Sequence, residues 1–349
     1  MRVVITGATG NLGTSLLDAL AEEPAVDRII GVARRPPTQS YRRTEFVTAD
    51  IASSNLYRLF AGADAVVHLA WLIQPGRDEA LTRRVNVIGT SRVFTAAAEC
   101  GVRTLIYASS VGAYSAGPKD RFVDESWPTD GTSTSFYARH KAIAERLLDR
   151  LERERPQMRI VRMRPALIFK RQAATEIRRL FAGPLLPRAL VRPGLIPFVP
   201  SVDRLCFQAV HSLDVGDAFR RALLADSRGA FNLAADPPIG VAKLAEVLRA
   251  RPVRIPASLL RAAAAATFAL RLHPTEPGWL DMGLAIPLMD ASRAKSELGW
   301  QPRWSAIETL AELLAGIREG CDLATPPLAR RSSGPARARE LLTGVGSRP

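Results

Sequence analysis

The chain has 349 residues, enough to bury a full core, and a formal charge of +14 drawn from 43 Arg and only 5 Lys. That charge lies in scattered short pairs, Arg42-Arg43, Arg83-Arg84, Arg178-Arg179 and Arg220-Arg221 among them, so anionic small molecules are expected as partners and nucleic acid is not. Three distant cysteines (Cys100, Cys206, Cys321) and four histidines without ligand spacing exclude a disulfide framework or zinc site, and no metal is expected.

Met1 runs directly into Arg2-Val-Val-Ile-Thr6, a β-branched run that predicts a buried strand. With no secretory signal ahead of it, a cytoplasmic location is expected. Next comes Gly7-Ala8-Thr9-Gly10-Asn11-Leu12-Gly13, then a helix carrying Leu12, Leu16, Leu17 and Leu20. Strand, glycine turn and helix in this order bring backbone amides and the positive helix end to a pyrophosphate. Gly7 would make the tight turn, Gly10 would admit the phosphates and Gly13 would allow close packing; Thr9, Asn11 and Leu12 complete the candidate cofactor loop. The second strand, Arg28 to Ala33, ends in Arg34-Arg35 with no acid. An aspartate there would bond a free ribose 2′-hydroxyl, whereas a guanidinium forks onto a 2′-phosphate, so NADP(H) is favoured over NAD(H).

Further strands are predicted at Glu45 to Thr48, Ala65 to His68, Leu105 to Ala108 and Ile160 to Met163, alternating with helices; this implies a parallel sheet covered on both faces. Phe136 to Arg153 predicts a helix with Leu147, Leu148 and Leu151 on its apolar stripe. Tyr137 and Lys141 lie four apart on it. With 5 Tyr and 5 Lys scattered over 349 positions, chance yields only ~0.07 such pairs. The spacing puts phenol and ammonium on one face, where the cation would lower a phenol pKa that is ordinarily ~10 and fit it for proton transfer. The plain alternative is a surface helix pair.

With both motifs in hand, residues 1 to about 318 resemble the extended short-chain dehydrogenase/reductases of the NAD(P)-dependent epimerase/dehydratase kind. The resemblance implies an α/β fold with a Rossmann-type doubly wound parallel sheet: an NAD(P)-binding domain over 1–165, returning segments near 205–235, and a smaller, mostly C-terminal substrate domain over 166–320. It also implies that Asp50 and Ile51 meet the adenine, that Leu69 and Ala70 pass beneath ribose and nicotinamide, and that Asn86 serves local order or proton relay. Ser110, the better alignment of the pair Ser109-Ser110, takes the catalytic serine position and hydrogen-bonds the reacting oxygen. Tyr137 transfers the proton, and Lys141 tunes it and bonds the nicotinamide ribose. Trp71, Ser110 and Arg164 are the implied substrate contacts. Val111-Gly112 stands where the sugar 4,6-dehydratases of the family carry Asp-Glu, which disfavours a dehydratase. His140 is expected on the helix surface and His68 packed in its strand.

Beyond Pro165 the texture changes. Lys170 to Phe181 is a basic helix candidate, and the Pro- and Leu-rich stretch 184–200 is expected as a substrate-side loop or lid. His211 onward opens a helix, Ala230 to Ala234 reads as a strand, and Ala262 to Leu270, too short to span a bilayer, reads as a buried or amphipathic helix. The basic tail over 326–349 is expected to be disordered.

Three functional readings stay open. The leading one is an NADP-dependent oxidoreductase reducing a carbonyl or oxidising a secondary alcohol, with Trp71 to Gln74 and the stretch 184–200 favouring a lipophilic substrate. The second is a nucleotide-sugar epimerase retaining its NAD(P), for which Arg192 and Arg204 would grip a diphosphate. The third is a catalytically silent NADP-binding scaffold or sensor, against which intact Ser110, Tyr137 and Lys141 count. A homodimer fits the resemblance, and no integral membrane segment is expected.

Overall fold

Short β-branched runs separated by helices bury both their faces by lying side by side in one parallel sheet. In the computed structural model, which describes residues 1–74, 76–181, 191 and 194–329, seven strands do this. They are β1 (Arg2–Thr6), β2 (Arg28–Ala33), β3 (Thr44–Thr48), β4 (Ala65–His68), β5 (Thr104–Ala108), β6 (Arg159–Pro165) and β7 (Gly229–Leu233), all paired in parallel. Their spatial order is β7-β6-β5-β4-β1-β2-β3. The winding direction reverses between β1 and β4, so this doubly wound α/β fold opens its crevice at the carboxyl ends of those two strands.

Four helices flank the crevice: α1 (Asn11–Leu20), α2 (Thr90–Glu99), α3 (Phe136–Glu154) and α4 (Ser212–Leu224). The apolar stripe of α3 places Leu148 and Leu151 in a core shared with Leu105 and Ile160 of the sheet. Helices α1 and α4 approach so closely that a Cβ on Gly216 would lie 2.6 Å from the Ser15 carbonyl. A separate three-stranded sheet of Leu167–Phe169, Cys206–His211 and Ala235–Gly240 packs Ala209 and Ile239 against Leu310 and Leu313 of a later helix, Ala306–Glu319. Trp300, fully buried, donates its indole N–H to the Asp214 carbonyl of α4 at 2.8 Å.

Two expectations change here. The basic segment starts as a 3-10 turn (Arg171–Ala173), and its α-helix runs over Ala174–Phe181. The apolar run 262–270 lies largely in α5 (Ala257–Ala269), yet no residue of that helix is buried, and Leu259 and Leu270 are 61% and 70% exposed. Five consecutive alanines offer little side-chain area to cover, and periodicity alone does not say whether a face is covered. The next helix, α6 (Gly278–Ala285), returns the chain to the crevice. Most of the expected lid, including Arg192, and residues 330–349 of the tail lie outside the described residues. Among those described, no helix is long and apolar enough to cross a membrane.

Candidate active site

The glycine turn after β1 is shaped by close approaches. Gly7 has φ +75°, and a Cβ on it would lie 2.7 Å from the Ala70 nitrogen, so this turn and the exit of β4 touch backbone to backbone. A Cβ on Gly13 would fall 2.4 Å from the Gly7 carbonyl oxygen, so Gly13 lets α1 close onto the turn. Gly10, by contrast, has little near it, and no side chain caps the N-terminus of α1. An uncapped helix start beside an open glycine fits a pyrophosphate. Thr9 is buried in this turn, Asn11 donates from Nδ2 to the Ile168 carbonyl at 3.2 Å, and Leu12 packs against the core.

Around that cradle stand the other cofactor candidates. Leu69 donates to the Thr6 carbonyl at 3.0 Å, and Leu69 and Ala70 stay partly exposed at the crevice. The Asp50 carboxylate accepts from the Ala52 amide at 2.8 Å, while buried Ile51 lies under Gly89. Arg34 and Arg35 follow the end of β2 directly, the first half-buried and the second exposed. One cation was missed. Lys170, buried, donates from Nζ to the Asn11 carbonyl (2.9 Å), Thr14 Oγ1 (2.6 Å) and Ser15 Oγ (2.9 Å) in the first turns of α1. Burial pushes its pKa down to about 8. Its rarity as one of 5 Lys was the available signal.

The two serines after β5 have separate partners. Ser109 donates to Glu145 Oε1 at 2.5 Å, deep in the core. Ser110 accepts from the Gly112 amide at 3.0 Å and lies beside the Tyr137 phenol, whose pKa its side chain draws down. Tyr137 sits in the first turn of α3, whose cap is Ser135, and its ring lies against Gly112, where a Cβ would come within 2.9 Å of Cε1. Trp279 of α6 stacks on that ring at 4.8 Å, Trp71 meets it edge-on at 5.9 Å, and Phe181 meets Trp279 at 5.0 Å. Trp279 lay far along the chain with no motif to mark it.

The expected lowering of the phenol pKa is not what the structure shows. Burial pushes the Tyr137 pKa up to about 12, opposed by the Ser110 side chain. Lys141 is itself buried, which drives its pKa well down, with Glu145 pulling the other way. Its ammonium donates to the Ala108 carbonyl at 2.6 Å and the Tyr107 hydroxyl at 3.3 Å, and lies 3.6 Å from the centre of the Trp71 ring. Desolvation of both groups therefore outweighs the attraction between ammonium and phenolate.

Asn86 lies in a π-helical turn, Arg84–Gly89, just before α2. Its side chain clamps the backbone of Leu72, accepting from the amide at 2.7 Å and donating to the carbonyl at 2.8 Å, and so holds the segment that carries Trp71. His68 is a packed, neutral imidazole: it bonds Thr6 Oγ1 (2.6 Å) and Thr90 Oγ1 (3.0 Å), and burial lowers its pKa to about 3.

Three side chains depart from expectation. Arg164 makes no substrate contact of the kind implied: it is buried, forks onto both Glu145 oxygens at 3.0 Å, and donates to the Tyr114 hydroxyl and the Glu125 carbonyl. Its counter-charge, Glu145, follows Lys141 at the same interval of four that separates Lys141 from Tyr137. His140 is buried against Phe136 rather than on the helix surface, and burial lowers its pKa to about 4. Arg204 donates to the Leu284 and Gly117 carbonyls, an anchoring role rather than a diphosphate grip.

Comparison with known proteins narrows the reading at the level of family. The profile of the NAD dependent epimerase/dehydratase family matches residues 3–193, more than half of the chain. The chain belongs to that family. As a member of the epimerase/dehydratase family it is an enzyme by descent, and its relatives spread widely. An uncharacterised protein of Mycobacterium tuberculosis is 28% identical over 332 residues, covering 90% of this chain and 83% of that protein. The y4nG protein of Sinorhizobium fredii is 27% identical over 318 residues, covering 88% and 76%. Among solved structures, UDP-glucose 4-epimerase of Thermotoga maritima gives a TM-score of 0.68 at 21% identity, over 92% of this chain and 99% of that one. The dTDP-glucose 4,6-dehydratase DesIV of Streptomyces venezuelae, with NAD bound, gives 0.65 at 19% identity, over 91% and 97%. At these identities the likeness is one of fold.

Proposed function

We propose that this epimerase/dehydratase family member is an NADP-dependent oxidoreductase interconverting a lipophilic carbonyl and its secondary alcohol. The observation that carries the reading is the surrounding of Tyr137: Ser110 lies beside its phenol, while Trp71 and Trp279 pack on its ring, with Phe181 behind Trp279. Those walls suit an apolar substrate better than a sugar diphosphate. A bound nicotinamide supplies or accepts the hydride. Tyr137 holds its proton at neutral pH, as any phenol does, and so can donate it to a carbonyl oxygen when the substrate is reduced. Ser110 bonds the same oxygen as charge develops on it. Lys141 and Asn86 keep Trp71 and the β5 exit in place, and Arg34-Arg35, at the end of β2, would meet a ribose 2′-phosphate.

A nucleotide-sugar epimerase is the second reading, favoured by the named structural neighbours, among them a Bacillus cereus UDP-glucuronic acid 4-epimerase in complex with NAD. The test is to follow NADPH absorbance with a panel of aromatic and aliphatic ketones, and sugar configuration with UDP-glucose. Steady NADPH oxidation supports the reductase; sugar inversion without net cofactor change replaces it with the epimerase. Replacing Tyr137 with Phe should lower ketone turnover by about 100-fold or more with NADPH affinity nearly intact. Unchanged turnover would remove Tyr137 from the reaction.

A further inference from the structure

A helix that faces water ordinarily turns charged residues outward. Helix α5 does not: Leu259, Ala262, Ala263, Ala266 and Leu270 fall at helical spacing on its exposed side, with no charge among them. The opposite side meets the body through Phe268, whose ring lies 3.9 Å from the Arg77 guanidinium. The apolar surface extends to Val253 on the strand before α5, to Phe198 on the neighbouring strand and to Leu272 after it, which are 39%, 58% and 50% exposed. Through residues 249–272 the chain carries five arginines, Arg249, Arg251, Arg254, Arg261 and Arg271, and no acid. All five are exposed; Arg261, on the body side of α5, pairs with Asp281 of α6 at 2.8 Å, and Phe198 is the register partner of Arg251. Exposed apolar area rimmed by cations is the pattern of a surface that meets an anionic, apolar partner.

We infer that α5 and the strand leading into it dock on an anionic lipid bilayer, the leucines and alanines entering the acyl boundary and the arginines reaching the headgroup phosphates. Charge decides between the occupants. A second copy of the chain would bring the same surface, net positive even with Asp281 paired to Arg261, against itself, and the tail 330–349, with five Arg and one Glu, has the same sign. A protein partner would need a cluster of aromatic anchors or a pocket, and beside Phe198 the surface offers only Ala, Leu and Val. A bilayer asks for area and charge alone. The docking stands independently of the role given to Tyr137, although it would bring an apolar substrate close to its site. From α5 the chain passes through Pro274, whose carbonyl accepts from Gln74, and Thr275, which donates to the Phe181 carbonyl at 2.6 Å, into α6 and Trp279.

The test is flotation of the full chain with phosphatidylcholine vesicles and with vesicles in which roughly one-third of the lipid is phosphatidylglycerol. The wild type should float with the anionic vesicles alone and be released by high salt. Leu259→Glu/Leu270→Glu should lower the bound fraction about 10-fold or more, and Arg251→Ser/Arg254→Ser about 25-fold, at about 5-fold per arginine. NADPH binding of both variants should match the wild type, which checks their folding. Three results would overturn the inference: no flotation with anionic vesicles; flotation of the Leu259→Glu/Leu270→Glu variant equal to wild type, which would assign binding to the basic tail; or a solution dimer that this variant dissolves.

Discussion

Replacing Glu145 with Gln removes one charge from the deepest polar cluster behind the site and leaves its shape unchanged. The carboxylate is fully buried and accepts from Ser109 (2.5 Å), Arg162 (3.1 Å) and twice from Arg164 (3.0 Å each). These partners outweigh desolvation and hold its pKa at about 2 instead of 4.5. The difference corresponds to about 3 kcal/mol of folding free energy at neutral pH. Removing one partner of a buried pair costs about 3 to 5 kcal/mol by general experience, so the two estimates agree. A glutamine would also turn an amide N–H toward groups that are all donors. Urea or thermal unfolding followed by circular dichroism should show a loss of about 3 to 5 kcal/mol for Glu145→Gln, much of it restored in Glu145→Leu/Arg164→Met. Because the folded pKa is depressed, this contribution is complete above the unfolded value of 4.5 and is lost as pH falls toward 2. Wild type should therefore lose more stability than Glu145→Gln across that window. A variant within about 1 kcal/mol of wild type at pH 7, with the same acid limb, would refute the assignment of a strong buried pair.

Other outcomes follow from the same geometry. Arg34→Ala/Arg35→Ala should weaken NADPH binding much more than NADH binding in parallel fluorescence titrations; equal losses would exclude a 2′-phosphate contact. Gly112→Ala puts a methyl 2.9 Å from Tyr137 Cε1 and 3.0 Å from Met282 Sδ, so the phenol must shift, and ketone turnover should fall about 100-fold with NADPH affinity retained. Gly13→Ala meets the Gly7 carbonyl at 2.4 Å, backbone that cannot yield locally, and should abolish detectable NADPH binding.

What was legible in the sequence was what depends on neighbours in the chain. The glycine turn, the strands around it and the i, i+4 pair on α3 are local signals, and the structure brings Gly7, Gly10, Gly13, Ser110, Tyr137 and Lys141 to one crevice. Electrostatics at the phenol was not legible. Whether Lys141 lowers the Tyr137 pKa depends on how dry the pair is, and dryness comes from Trp71 and Trp279, the latter 142 residues further on. Arg164 ends a strand that leads toward the substrate side, which suggested a contact there. Its partner depends on the register of α3 over β6, which no local pattern encodes. The apolar run in α5 shows the reverse case, where composition suggested a buried or amphipathic helix and the fold left no residue of it buried.

Tyr137, Lys141 and Glu145 follow one another at successive turns on the same side of α3, and the last is locked to Arg162 and Arg164 of β6. Axial slippage of that helix would strand a buried ion, so the Tyr137 hydroxyl is anchored two turns downstream, as by a keel. Helix α6 reaches the ring of Tyr137 through Trp279 and the neighbouring Gly112 through Met282, greasy contacts that can slide at small cost. A bulkier guest would therefore be accommodated by displacement of α6, while the Tyr137 phenol keeps its place.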